Sequence, residues 1–131
     1  MGELQMPDVS IGRPQGIDVG PDGCIYVADT HYFRVVKFSP TGSILSMFGQ
    51  EGKEPGRFFW PCAIAVDRDG TIFTAEYGGH DRIQIWSGQG VRLGGWGQMG
   101  EAPGQFMRPA GLALGPDGLL YVADAANHRI Q

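Results

Sequence analysis

Three histidines stand in comparable places along the chain. His31, His80 and His128 each follow an acidic residue that closes an apolar run: Asp29, Glu76 and Asp124. Repeated histidines could hold zinc, which needs three or four ligands about 2 Å from one point. The offsets are unequal: His31 lies two residues after its acid, and His80 and His128 lie four after theirs. Side chains so spaced do not converge in any obvious way, and no metal site is assigned. The acids could serve as general acids or bases, but each is followed five or six residues later by an arginine, Arg34, Arg82 or Arg129. An active centre needs one such group, and a pair written three times fits a structural duty. The carboxylate accepts loop N–H bonds and pairs with the arginine that opens the next strand. Asp22, Asp69 and Asp117 each precede glycine and belong to turns. A Gly-x-Ser-x-Gly elbow, a phosphate-binding loop, an HExxH helix and a Cys-x-x-Cys pair are absent from the sequence. No catalytic residue and no cofactor are assigned.

The elements that would carry these residues form a repeat of about 47 residues. Aligning Pro14, Pro61 and Pro109 brings three apolar alternations into register, at 16–19, 63–66 and 111–114. Turns follow at Pro21-Asp22-Gly23, Arg68-Asp69-Gly70 and Pro116-Asp117-Gly118. Second runs end in Asp29, Glu76 and Asp124, and third runs open at Arg34, Arg82 and Arg129. Two copies continue through another glycine-bearing turn into a fourth run, ending at Gly49 and Gly97. Short runs rich in β-branched and aromatic residues suit pleated strands, and Asp-Gly supplies the positive φ of a tight hairpin. Each copy predicts a four-stranded antiparallel meander whose two apolar faces must stack on neighbours, as the blades of a β-propeller do. Links at 49–61 and 97–109 share the pattern Gly-x-x-Gly-x-x-Pro-Gly-x-Phe-x-x-Pro, with Phe58 and Phe106 expected to pin them between blades. Trp86 and Trp96 are expected in the interblade core, and Trp60 is the exposed aromatic candidate.

Composition narrows the function classes. The 131-residue chain has a formal net charge of -4 and two lysines, which argues against a general phosphate-backbone binder. No apolar stretch approaches the roughly 18 residues of a membrane span. Cys24 and Cys62 sit in apolar runs and are expected as buried free thiols. Met1 to Gly12 lacks a basic segment followed by an apolar core, so no secretion signal is read and the compartment stays open.

The run Val122-Ala123-Asp124-Ala125-Ala126-Asn127-His128-Arg129-Ile130-Gln131 resembles the hallmark of the NHL-repeat family. Glu76 through Ile85 and Asp29 through Val36 follow it more loosely. The resemblance implies an all-β propeller of about six blades. The units are residues 14–60, 61–108 and a shortened third at 109–131, after a link and insertion at 1–13. Gly2-Glu3-Leu4-Gln5-Met6-Pro7 matches the ends of both links, and Asp8 to Pro14 is an insertion. The chain is expected to be a fragment, with further blades supplied by missing chain or by self-association. The resemblance also implies a binding scaffold of the kind found in ubiquitin-ligase and RNA-regulatory proteins, with lyase and lactonase propellers as similar architectures. The expected role is non-catalytic binding of a protein or peptide, and nucleic acid is not an expected partner. The alternatives are a metal-dependent lyase- or lactonase-type enzyme and an RNA-binding platform. Binding is expected on the face where the links and the second-to-third-strand loops meet, at Arg13, Gln15, His31, Tyr32, Trp60, Tyr77, His80, Arg108 and His128. Cys62 and Ala110 are expected nearby.

Overall fold

The computed structural model describes residues 11–131. The Gly2–Pro7 match and the first part of the insertion, residues 8–10, lie outside the described residues. Eleven strands are described: β1 (Gly16–Val19), β2 (Ile25–Asp29), β3 (Arg34–Phe38), β4 (Ile44–Phe48), β5 (Pro61–Val66), β6 (Ile72–Glu76), β7 (Arg82–Trp86), β8 (Arg92–Trp96), β9 (Pro109–Leu114), β10 (Leu120–Asp124) and β11 (Arg129–Ile130). They form three antiparallel meanders, β1-β2-β3-β4, β5-β6-β7-β8 and β9-β10-β11. The expected inner strands β1, β5 and β9 lead three separate sheets, with β5 packed against both β1 and β9. Each sheet is one propeller blade.

Alternation places the two faces of the middle blade in two cores. Ile64, Val66, Ile72 and Trp86 pack on Tyr26, Ala28 and Val35 of the first blade. Ala63, Ala75 and Ile83 face Leu112, Leu120 and Val122 of the third. Each large aliphatic side chain so buried contributes about 1.5–3 kcal/mol. Phe58 and Phe106 are buried, as the link pattern predicts. Phe58 sits 4.7 Å from Trp86, and Phe48 joins them at 6.0 and 5.3 Å. The glycine that opens the first link is required by this packing: Gly49 has φ 129°, and a Cβ there would stand 2.6 Å from the Phe58 ring.

Trp96 departs from expectation. It lies on β8, the outer edge of its sheet, and is 42% exposed. Its equivalent Phe48 also lies on an outer strand but packs on Trp86 of the next blade. The described β11 (Arg129–Ile130) carries no counterpart of Trp86 for Trp96 to meet.

The recurring acid and arginine fasten each link to its blade. Glu76 accepts the Phe59 N–H at 2.8 Å and pairs with Arg82 at 3.0 Å. Arg82 donates to the carbonyls of Lys53 and Arg57 at 2.7 and 2.9 Å, and Gln84 donates to Arg57 at 2.7 Å. The third blade repeats the arrangement. Asp124 accepts the Met107 N–H at 2.7 Å and pairs with Arg129, which reaches the carbonyls of Glu101 and Gln105. Gln131 takes the place of Gln84. In the first blade Asp29 accepts the Gly12 N–H and pairs with Arg34.

Candidate functional site

The links enter the inner strands at the end of the sheets where the second-to-third-strand loops turn, and the two are bonded together. His31 N–H donates to Gly12 O, Ala126 N–H to Met107 O, and the Thr30 hydroxyl to Pro61 O at 2.7 Å. On this end the residues preceding the three aligned prolines share one unusual backbone state. Arg13, Trp60 and Arg108 have φ of 50°, 44° and 62°. Positive φ is strained for bulky L-residues, and proline further restricts the residue before it. The state turns three large side chains outward from the mouth of the inner strands, where all three are exposed.

Aromatic side chains gather around Trp60. Its ring is stacked with Phe59 at 5.3 Å and 16°, and meets Tyr77 at 5.3 Å. Phe33 continues the row at 6.3 Å from Phe59. Cations lie over two of these rings: Lys53 Nζ is 5.2 Å from the centre of Phe59, and the Arg108 guanidinium is 5.7 Å from that of Tyr77. Beside Tyr77 opens a cavity of about 170 Å³ lined by Gln15, Cys62, Tyr77, Arg108, Pro109 and Ala110. Gln15, Cys62 and Ala110 are equivalent positions of the three repeats, each the residue after the aligned proline. The cavity is therefore where three blades meet.

The chemistry of its lining is quiet. The Cys62 thiol donates to Pro109 O at 2.8 Å, with Ala75 O a more distant second acceptor at 3.5 Å. Burial, together with the negative charges of Glu76 and Asp81, pushes the thiol up to about 12. At neutral pH it stays protonated, and thiolate is the nucleophilic form. Cys24, the other cysteine, is also a buried free thiol.

Of the nine predicted residues, Gln15, Tyr77 and Arg108 line the cavity, and Trp60 packs on Tyr77. Arg13 is exposed on the first link. His31 and Tyr32 are exposed on a one-turn 3₁₀ segment, Thr30–Tyr32, with Arg34 4.9 Å from the Tyr32 ring centre. His80 and His128 are exposed on the loops of the other two blades. His128 has a backbone duty: at φ 55° it closes the turn Ala125–Asn127 by donating to Ala125 O, as Phe33 does for Thr30. Among the described residues no three His, Cys, Asp or Glu side chains cluster closely enough to hold one ion.

Two positions escaped the sequence reading. Asp81 is buried and accepts the N–H groups of Gly79 and Arg108, so it holds the Arg108 backbone in place. The signal was the extra residue in the middle copy's loop. Asp18 stands where the other copies have Ala65 and Ala113. Its carboxylate accepts the Val66 N–H across the first blade interface at 2.8 Å. Ala65 offers no such acceptor at the next interface. There a groove of about 770 Å³ opens at the opposite end, between the turns at 67–70 and 115–118. Two of the three acids on that groove are engaged locally, Asp67 by the Asp69 and Thr71 N–H groups and Asp117 by the Leu119 N–H and Tyr121 hydroxyl.

A family model of the NHL repeat matches residues 12–38 and 106–131. Protein brain tumor of Drosophila melanogaster is 33% identical over 94 residues, which is 70% of this chain and 9% of that protein. Virginiamycin B lyase from Staphylococcus aureus superposes with a TM-score of 0.69 at 17% identity, covering 97% of this chain and 39% of that one. A streptogramin B lyase gives 0.72 at 19%, covering 98% and 39%. A gluconolactonase from Xanthomonas campestris gives 0.61 at 18%, covering 88% and 36%. At these identities the structural likeness shows the fold, a β-propeller. The chain spans well under half the length of each of these proteins.

Proposed function

Because this chain belongs to the NHL-repeat family of β-propeller proteins, we propose that it works as a binding scaffold for a protein or peptide, engaged through the face that carries Trp60, Tyr77 and Arg108. In this reading residues 14–60, 61–108 and 109–131 are successive blades, and the ligand crosses the place where they meet. The observation that carries it is the cavity beside Tyr77. At about 170 Å³ it falls below the roughly 300–1,000 Å³ of pockets that enclose a small-molecule substrate, and it suits one side chain of a larger ligand. Trp, Tyr and Arg at its edge are the residue types that carry most binding energy in protein interfaces. The floor holds a protonated thiol, and the recurring carboxylates are committed to fastening the links, so the face offers recognition groups more readily than a nucleophile or base.

A second reading has one observation in its favour. Alternating rings and cations, Phe59 with Lys53 and Tyr77 with Arg108, are the ingredients of a stacking surface for single-stranded RNA. The protein reading is preferred because Phe59 and Trp60 are stacked on each other, and the chain as a whole is acidic.

The two are separated by titrating fluorescein-labelled degenerate octapeptides and homopolymeric RNA 12-mers, followed by anisotropy. Peptide binding that weakens about 30-fold in Trp60→Ala, and survives in Trp96→Ala, is the expected result, since a buried aromatic anchor is worth about 2 kcal/mol or more. Equal peptide affinity in wild type and Trp60→Ala would sink the assignment of this face. RNA binding with a steep salt dependence and no peptide binding would establish the second reading.

A further inference from the structure

The cavity has a charge and shape that narrow its ligand. Among the described residues, ion pairs engage Arg34, Lys37, Arg57, Arg82 and Arg129. Arg108 takes part in none of them. Asp81 accepts its backbone N–H, not its guanidinium. The Arg108 side chain is exposed over Tyr77, so an unpaired cation is held on an aromatic face at the rim of a pocket. An arginine fork with free donors matches a carboxylate bidentately. Gln15 lines the same pocket from the first blade and brings an amide able to donate a further bond. Below them Cys62 gives its single S–H proton to the Pro109 carbonyl, and Pro109 and Ala110 add apolar surface. The positive charge is at the rim of a largely polar lining, in which Tyr77, Pro109 and Ala110 supply the apolar wall.

We propose that this cavity binds one acidic side chain of a peptide ligand, its carboxylate taken by the Arg108 guanidinium and the Gln15 amide and its methylenes laid against Tyr77 and Ala110. The proposal rests on the reading of this face as a peptide-binding surface and adds the chemical class of residue that the surface selects. The site draws on all three blades: Gln15 from the first, Tyr77 and Cys62 from the second, Arg108 and Ala110 from the entry to the third. The neighbouring Trp60 ring is placed to contact an adjacent residue of the same ligand.

The test uses octapeptide pools, degenerate at every position except one fixed as Glu, Gln or Lys, titrated against the chain by fluorescence anisotropy. The Glu pool is expected to bind at least tenfold tighter than the Gln pool, and the Lys pool more weakly still. Arg108→Ala should bring the Glu pool to the level of the Gln pool. Arg108→Gly, which suits the φ of 62° and keeps the N–H donated to Asp81, should do the same while preserving the fold. Arg68→Ala, in a turn at the opposite end, should keep the preference. Pools that bind with no preference for Glu, or a preference that survives in both Arg108 variants, would overturn the proposal and leave the peptide-binding reading standing. No binding by any pool would overturn both.

Discussion

Arg13, Trp60 and Arg108 hold a left-handed backbone that costs a non-glycine residue about 1–2 kcal/mol at positions where glycine would be free of that cost. The strain coincides with exposure: all three side chains stand at the mouth of the inner strands. Strained residues that persist across a scaffold gather at sites where the side chain is needed. The expected consequence is a trade between stability and binding. Arg108→Gly should raise stability by about 1 kcal/mol, seen as a higher urea midpoint at unchanged slope, while Arg108→Ala should not. The position of these residues was legible in the sequence from the alignment of the three prolines. Their backbone state was not, because nothing in an Arg-Pro or Trp-Pro pair announces positive φ. Asp81 was missed for a related reason. A single extra loop residue shows that the copies differ, but not that the inserted carboxylate turns back to bind the Arg108 N–H.

At the scale of the element, the unit that recurs is the fastening of link to blade. The sequence made its acid and arginine readable as a pair. It did not reveal that the arginine reaches the carbonyls of a link more than twenty residues away, or that the glutamine two residues later completes the set. The two described copies with glutamine differ in how they hold charge. Burial raises Glu76 above its ordinary value, and Arg82, the Phe59 N–H and Gln84 only partly offset that. Burial acts the same way on Asp124, but there the Met107 N–H, Asn127, Arg129 and Gln131 outweigh it and hold the carboxyl below its ordinary value.

The signs of linkage are therefore opposite. Asp124 contributes stability that is present above 3.8 and lost as pH falls through its lowered folded value. Glu76 contributes stability that is present below 4.5 and lost as pH rises through its raised folded value. Urea unfolding of Asp124→Asn is expected to show a loss of about 2 kcal/mol at pH 7, the worth of hydrogen bonds to a buried charge. That difference from wild type should shrink below pH 3.8. Glu76→Gln should instead fall further behind wild type as the pH is lowered toward 4.5. Parallel pH profiles for the two variants would contradict this assignment. Trp96 marks the limit of the sequence at this scale. The repeat placed it with Phe48 in the fourth strand, but the burial of that position depends on the next sheet: Phe48 meets Trp86, and the described β11 offers Trp96 no such partner.

Across the whole molecule, equivalent residues have different fates according to which blade carries them. Ile64 and Val66 are 4% and 8% exposed between two blades, whereas Ile17 and Val19 in the same positions of the first blade are 66% and 59% exposed. The propeller architecture, the three inner strands and the buried link phenylalanines were all legible, because each follows from a pattern written more than once. The cavity was not, because it is assembled from single positions of three repeats that differ from one another: Gln15, Cys62 and Ala110 under Tyr77 and Arg108. It opens where the copies stop being alike. The proposed recognition surface lies at the end of the blades where the links enter, and the larger groove between the turns at 67–70 and 115–118 lies outside it. Backbone amide hydrogen exchange, measured with and without a saturating Glu-fixed octapeptide pool, tests this most directly. Slowed exchange confined to 59–63, 77–81 and 108–111 is the predicted result, and slowed exchange at 67–70 and 115–118 in its place would contradict the account.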